Sequence, residues 1–339
     1  MDKQELRIQG KLKKAVIFDC DNTLWSGVVG EDELILNESI QKDAVFLSQH
    51  GVIVGLCSRN NEEDVNLALA TQILNDEYLS VKRINWGDKV QNLRDIAEEL
   101  NIGLDSIVFV DDSPFEINSV RERLPEVLAI YPHELMETVH RWFDLSGDFT
   151  KTLQYKEQLA RRREQERFGE DYEAYLASLQ MEITISVNDF DNIPRIAELT
   201  QKTNQFNLTT ERFTEKQVWE YMSLFKVFTV SVKDRFGDSG LTAVAMVAAG
   251  YIDVFLMSCR IIGRNIEYSL MDFIVEHCRR DNYGTLIGTY KPTAKNGQVA
   301  AFYNKFAHRV RENDGEVFFF IDTGRYQKQG RDYICVKEL

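Results

Sequence analysis

The sequence is poor in paired cysteines, clustered histidines, long apolar runs and positive charge. Its five cysteines, Cys20, Cys57, Cys259, Cys278 and Cys335, are odd in number and widely spaced, and no CxxC pair occurs. Neither a zinc site nor a disulfide framework is indicated, and a reducing cytoplasm is the expected compartment. The histidines, His308 among them, form no triad or metal cluster. No stretch approaches the roughly 20 apolar residues that a membrane span needs. Met1-Asp2-Lys3-Gln4-Glu5 opens without an apolar signal region. Lys and Arg number 40 against 54 Asp and Glu, giving a formal net charge of −14. That balance argues against bulk binding to nucleic acid or to an anionic membrane, since both surfaces would repel it. Tandem repeats and low-complexity segments are also missing.

What is present is an ordinary globular composition over 339 residues, enough for about two domains at roughly 150 residues each. Residues 1–138 alternate buried-strand runs (Ala15–Phe18, Val52–Cys57, Ile107–Val110) with helical stretches (Glu62–Gln72, Asp88–Leu100). This alternation predicts a parallel α/β sheet with its site at the carboxyl ends of the strands. Residues 139–180 are highly charged, with Arg161-Arg162-Arg163 beside several glutamates. They read as a helical connector, either simply solvated or a docking face for an acidic partner. Residues 181–339 predict an α+β domain with an antiparallel centre. Its strands are Ile183–Val187, Val227–Val232, Leu241–Ala249, Tyr251–Met257, Thr285–Thr289 and Val317–Ile321. Its helices are Ile193–Thr200, Glu215–Phe225, Ile266–Cys278 and Val299–Phe306.

Asp19 and Asp21 directly follow the first strand, and Asp111-Asp112 directly follow the third. Carboxylates this close repel unless a cation or proton intervenes. Magnesium, which prefers oxygen ligands, is the simple remedy. Ser58 follows the second strand, where its hydroxyl could bind a phosphoryl oxygen. Lys89 opens a helix, where its ammonium could neutralise phosphoryl charge. Each has a plainer reading as a turn or cap residue. Their conjunction at successive strand ends points to phosphate chemistry.

That order resembles the haloacid dehalogenase superfamily. The resemblance implies Asp19 as the nucleophile and Asp21 as the general acid and base. It implies magnesium held by Asp19, the Asp21 carbonyl and Asp111, with Asp112 close by. Thr23 would hydrogen-bond and orient the loop beside the phosphate. Asp19–Asp32, DCDNTLWSGVVGED, strongly resembles the signature of the FkbH-like family. INWGDK (84–89), VFVDDSP (108–114), LPEV (124–127), KTNQFNL (202–208), SCRIIG (258–263) and TAKN (293–296) match too. This resemblance implies a glyceryl transferase and phosphatase. Such an enzyme takes the glyceryl group of 1,3-bisphosphoglycerate, removes phosphate and leaves a thioester on an acyl carrier protein. Cys20, between the two aspartates, either holds the acyl group as a thioester or packs under the loop. The flanking carboxylates disfavour its thiolate. Cys57 and Cys259 read as core residues. Only a short loop, Trp25–Leu36, separates Thr23 from the next helix, so no cap domain is expected. An open site suits a bulky substrate.

The last domain resembles the N-acetyltransferase (GNAT-like) fold. Arg260-Ile261-Ile262-Gly263-Arg264-Asn265 is similar to its pyrophosphate-cradling turn, with Asn265 where a small residue is usual. Asn296 and Tyr303 resemble its Asn and its general-acid Tyr. The fold without acetyl transfer is the favoured expectation, with a groove for a phosphopantetheine thiol. Asn204, Gln205 and Asn207 would bind the amide arm or form a structural polar network. A plain small-molecule phosphatase and a coenzyme A-dependent acyltransferase with a non-catalytic first domain remain the alternatives.

Overall fold

Short apolar runs form the central strands of the first sheet, because an inner parallel strand is covered on both faces, while the edge strand VKRI carries two charged residues. In the computed structural model, which describes Leu6 and residues 11–339, the strands are β1 (Ala15–Phe18), β2 (Ile53–Ser58), β3 (Val81–Ile84), β4 (Ile107–Val110) and β5 (Leu128–Ile130). The Met1–Glu5 segment, read as lacking a signal region, lies outside the described residues. All neighbours in this sheet pair in parallel, in the spatial order β3-β2-β1-β4-β5. The helices between them are α1 (Glu38–Gln49), α2 (Glu62–Leu69), α3 (Lys89–Leu100), α4 (Pro114–Arg123) and α5 (Leu135–Trp142). Val16 and Phe18 pack into one core layer, while Ala15 and Ile17 pack into the other. β1 is therefore clamped between two layers of helices. The β1–β4 and β1–β2 registers align Phe18 with Val110 and Leu56, so the three chain segments emerge side by side. The sequence missed β3 and β5. Only a small hairpin, Trp25–Ser26 with Ile35–Leu36, fills the loop before α1, so a cap domain is indeed missing there.

The described chain separates into two compact units, Met1–Arg163 and Glu164–Leu339. The division falls inside α6 (Thr150–Phe168), a largely exposed charged helix that packs Thr152, Leu159 and Arg161 inward. A short helix, α7 (Tyr172–Ser178), follows. No helix among the described residues is long and apolar enough to cross a membrane.

The second unit is a mixed sheet. Its strands are β6 (Glu182–Val187), β7 (Phe206–Asn207), β8 (Lys226–Asp234), β9 (Gly237–Ala248), β10 (Tyr251–Met257), β11 (Thr285–Tyr290), β12 (Arg309–Asn313), β13 (Glu316–Asp322) and β14 (Cys335–Glu338). The spatial order is β12-β13-β11-β10-β9-β8-β6-β14, with β7 added against β10. Helices α8 (Ile193–Lys202), α9 (Glu215–Leu224) and α10 (Ile266–Arg280) complete it. Two expectations fail locally. The stretch read as one helix over 299–306 is two 3-10 turns, Gly297–Val299 and Phe302–Lys305. Cys259 is exposed rather than core, because it starts a turn just beyond β10.

Candidate active site

The carboxyl ends of β1, β2 and β4 deliver Asp19, Ser58 and Asp111, and the start of α3 delivers Lys89. Asp88 caps α3 by accepting Val90 N–H at 3.1 Å, which fixes where Lys89 begins. Ser58 Oγ donates to Asp19 Oδ1 at 2.9 Å. Lys89 Nζ donates to the same Oδ1 at 2.6 Å and to Asp111 Oδ2 at 2.7 Å. Asp111 Oδ1 accepts Ser113 N–H at 2.9 Å, and Ser113 in turn caps α4. Asp19, Ser58, Lys89 and Asp111 are all buried, whereas Asp112 is exposed. One oxygen each of Asp19, Asp111 and Asp112 lies within 4.8 Å of the others.

The electrostatics follow from this enclosure. Burial pushes the Asp19 carboxyl up to about 6, with Lys89 pulling it down and Asp111 pushing it up. Asp111 and Asp112 are likewise raised, burial first in each case. Burial disfavours the Lys89 ammonium, but the Asp19 and Asp111 charges outweigh it and hold its pKa above the usual lysine value. Three carboxylates thus cluster around one cation that pairs with only two of them. The excess negative charge, the all-oxygen donor set and the partly open Asp112 fit a hard divalent ion such as magnesium.

Two expected roles need correction, and the Asp21 side chain takes a place of its own. The Asp21 carboxylate is not among the clustered oxygens, in keeping with the expectation that only its backbone carbonyl would face the metal. Its Oδ1 accepts Trp25 Nε1–H at 2.8 Å and Val29 N–H at 3.2 Å, and its Oδ2 accepts Asn60 Nδ2–H at 3.0 Å. Thr23 is fully buried, and its Oγ1 has no partner among the described residues. It therefore reaches no phosphate and makes no orienting hydroxyl bond. It holds the loop through the backbone, with its N–H donated to Cys20 O at 3.2 Å. Cys20 is fully buried in the core layer with Phe18, Leu24 and Trp25. Burial, then the Asp19 charge, pushes its thiol well up. An enclosed, protonated thiol does not suit an acyl carrier.

Sequence reasoning passed over Asn60, Arg59 and Glu116. Buried Asn60 joins Asp21 to Ser58, donating to Ser58 Oγ at 3.2 Å. Its signal was faint: a polar residue two positions past a strand-end serine.

In the second unit, the residues expected to take a pantetheine arm are engaged with one another. Parallel β10 and β11 pair only at Tyr251–Ile287 and Ile252–Gly288, then part. The chain itself fills that gap. Phe206 and Asn207 pair with Met257 and Leu256, Leu208 N–H donates to Phe255 O at 3.1 Å, and Lys291 N–H donates to Leu208 O at 2.8 Å. Asn296, fully buried, donates to Asn207 O and Lys291 O, both at 2.9 Å, and accepts Thr293 N–H at 2.8 Å. Asn207 donates to Thr203 O and accepts from Thr210 N–H. Asn204 Oδ1 accepts from Arg212, and Gln205 is exposed. Asn204, Asn207 and Asn296 belong to a structural polar network, and Leu208 takes up the β10 edge beside β7.

The Arg260–Asn265 turn is equally committed. Arg264 pairs with Asp234 at 3.1 Å and donates to Arg260 O at 2.9 Å. Gly263 has φ +85°, and its carbonyl accepts the Tyr172 hydroxyl at 3.1 Å. Buried Glu267 stands in the first turn of α10, where burial raises its carboxyl. Tyr303 is enclosed, its hydroxyl unpartnered among the described residues and its pKa raised by burial. Its ring lies so close over Gly288 that a Cβ there would stand 2.6 Å from it. Tyr303 is a packing residue, not an accessible acid. The filled strand gap and the enclosed tyrosine do not fit acetyl transfer from coenzyme A.

No protein-family model and no curated protein matches the chain. Solved structures do. The N-terminal part of the protein BF1531 from Bacteroides fragilis, containing a phosphatase domain complexed with Mg, is similar at 34% identity and a TM-score of 0.39. That match covers 42% of this chain and 44% of that one, so the chain spans less than half of the relative's length. The 3-deoxy-D-manno-octulosonate 8-phosphate phosphatase from Moraxella catarrhalis is similar at 19% identity and a TM-score of 0.28, covering 35% of this chain and 69% of that one. The ribosomal-protein-S18-alanine N-acetyltransferase from Escherichia coli is similar at 14% identity and a TM-score of 0.32, covering 44% of this chain and 97% of that one. The chain therefore carries partial likenesses of two kinds, to phosphatase domains and to N-acetyltransferases.

Proposed function

We propose that the first unit cleaves phosphate from a phosphorylated substrate in a magnesium-dependent reaction with Asp19 as nucleophile. The observation that carries this reading is the buried chain Ser58–Asp19–Lys89–Asp111 with Asp112 beside it. Both contacts to Asp19 fall on Oδ1, leaving Oδ2 as the atom placed to attack. An Asp19 oxygen attacks phosphorus, and the bond from phosphorus to the leaving oxygen breaks as Asp21 supplies a proton. Water then attacks the phosphorus of the aspartyl phosphate, gives a proton to Asp21 and releases inorganic phosphate. Ser58 and Lys89 hold phosphoryl oxygens meanwhile. Asp19, Asp111, Asp112 and the Asp21 carbonyl would hold magnesium, which would neutralise phosphoryl charge when bound. The test is phosphate release from a panel of phosphate esters and acyl phosphates. Activity that persists in EDTA or in Asp19→Asn sinks the reading.

The finer reading is transfer of the glyceryl group of 1,3-bisphosphoglycerate to an acyl carrier protein. It is supported by the resemblance of DCDNTLWSGVVGED and KTNQFNL to the FkbH-like family and by the missing cap. Trp86 and Phe115, 75% and 70% exposed just beyond β3 and β4, offer apolar surface near the site. With Cys20 enclosed, the carrier thiol itself attacks the acyl carbon. The acyl–oxygen bond breaks, phosphate leaves, the thiol proton goes to solvent, and hydrolysis removes the remaining phosphate ester. Intact mass spectrometry after incubation with 1,3-bisphosphoglycerate and a phosphopantetheinylated carrier should show a glyceryl adduct on the carrier and none on Cys20. An unmodified carrier beside active ester hydrolysis leaves a small-molecule phosphatase.

A further inference from the structure

Arg59 directly follows Ser58 at the end of β2. Its Nε donates to Gly87 O at 3.2 Å, and its Nη1 lies 3.0 Å from Glu116 Oε1. Gly87 precedes the Asp88 cap of the helix that opens with Lys89. Glu116 stands in the first turn of α4, just beyond Asp111, Asp112 and Ser113. One guanidinium therefore ties together the loops that bring Ser58, Lys89 and Asp111 to Asp19.

The pair is not an incidental surface contact. The Arg59 side chain is 39% exposed, but that of Glu116 is only 7% exposed. An exposed ion pair contributes little, whereas a carboxylate buried this far is costly once its partner is removed. The other Glu116 oxygen, Oε2, is buried with no partner among the described residues, so Arg59 holds this carboxylate almost alone. The planar fork of arginine reaches two acceptors at fixed angles, which a lysine ammonium on a flexible stem does not reproduce. Lys89 bridges Asp19 and Asp111, and its reach depends on the separation of the two loops that Arg59 pins.

We propose that Arg59, through Glu116 and the Gly87 carbonyl, is a positioning residue that sets the Lys89 helix and the Asp111–Asp112 loop at their working separation. It touches no reacting atom. The proposal rests on the phosphatase reading of the first unit.

The test compares the full-length wild type with Arg59→Ala, Arg59→Lys, Glu116→Gln and the double variant Arg59→Ala/Glu116→Gln. The probe is para-nitrophenyl phosphate at saturating magnesium, read as kcat and KM, together with the rise in Tm caused by magnesium alone. Removing outer-shell partners of metal sites typically costs about 10–100-fold in affinity or activity. A loss of that size is expected in kcat for Arg59→Ala, with KM little changed. Arg59→Lys should not restore it, and the double variant should lose no more than Arg59→Ala. An unchanged kcat, a loss confined to KM, losses that multiply in the double variant, or a loss that only tracks a lowered Tm would each overturn the proposal. If the wild type releases no phosphate, the phosphatase reading fails and the clasp is read from Tm. Magnesium should then raise Tm less in Arg59→Ala than in the wild type, and an equal rise overturns the clasp.

Discussion

Lys89 holds two buried carboxylates that would otherwise face each other. Lys89→Met should therefore destabilise the magnesium-free protein by about 3–5 kcal/mol, because it strands both acids. Urea unfolding with and without magnesium checks this, and magnesium should recover part of the loss. Asp19→Asn is expected to do the opposite. It removes one of three clustered like charges, so the Tm should hold or rise, while phosphate release falls by about 10⁴-fold or more, as for loss of other nucleophiles. At this scale the sequence disclosed Asp19, Ser58, Lys89, Asp111 and Asp112, because each stands at a strand end or helix start. It did not disclose which way a loop side chain turns. Cys20 lies between two site aspartates yet faces the core, and Thr23 follows it inward. Arg59 and Asn60 sit in a three-residue turn with no periodicity to mark them.

Among the elements, the two-residue strand β7 changes the reading of the second unit most. Its fastening depends on Asn296, whose side chain serves Asn207, Lys291 and Thr293 with no exposure. Asn296→Ala would orphan several buried groups and should cost about 2–4 kcal/mol in urea unfolding. Helix α10 offers a pH test. Burial raises the Glu267 carboxyl, with one oxygen unpartnered among the described residues. A carboxyl with a raised folded pKa favours the native state below its unfolded pKa and loses that benefit as pH rises through its folded pKa. Glu267→Gln should thus raise stability at pH 7.5 by roughly 1 kcal/mol, or ~2–4 °C in Tm. Differential scanning calorimetry should show the gain vanishing near pH 4. The long apolar strands β8, β9 and β10 were legible from their patterns. β7, β12 and β14 were not, because two of them are exposed edge strands and the third is too short to carry a period.

For the whole molecule, the two units divide the chemistry unequally. The first holds the titratable cluster, while the second fills its own strand gap and places a carboxylate at the start of α10. Acetyl-coenzyme A should accordingly give no binding heat in isothermal titration and no change in Tm. Binding in the micromolar range would contradict the self-filled gap. The parallel sheet, its site and the missing cap were legible because strand ends and loop lengths are written in the sequence. The occupied gap was not, since it depends on a pairing between residues far apart in the chain. The central claim is that Asp19 takes a phosphoryl group, and the most direct measurement traps it there. The wild type, quenched during turnover of a phosphate substrate with magnesium, is reduced with borohydride and analysed by peptide mass spectrometry. The account predicts conversion of Asp19 to homoserine, absent without magnesium. Turnover with Asp19 unmodified and another residue carrying the label would contradict it.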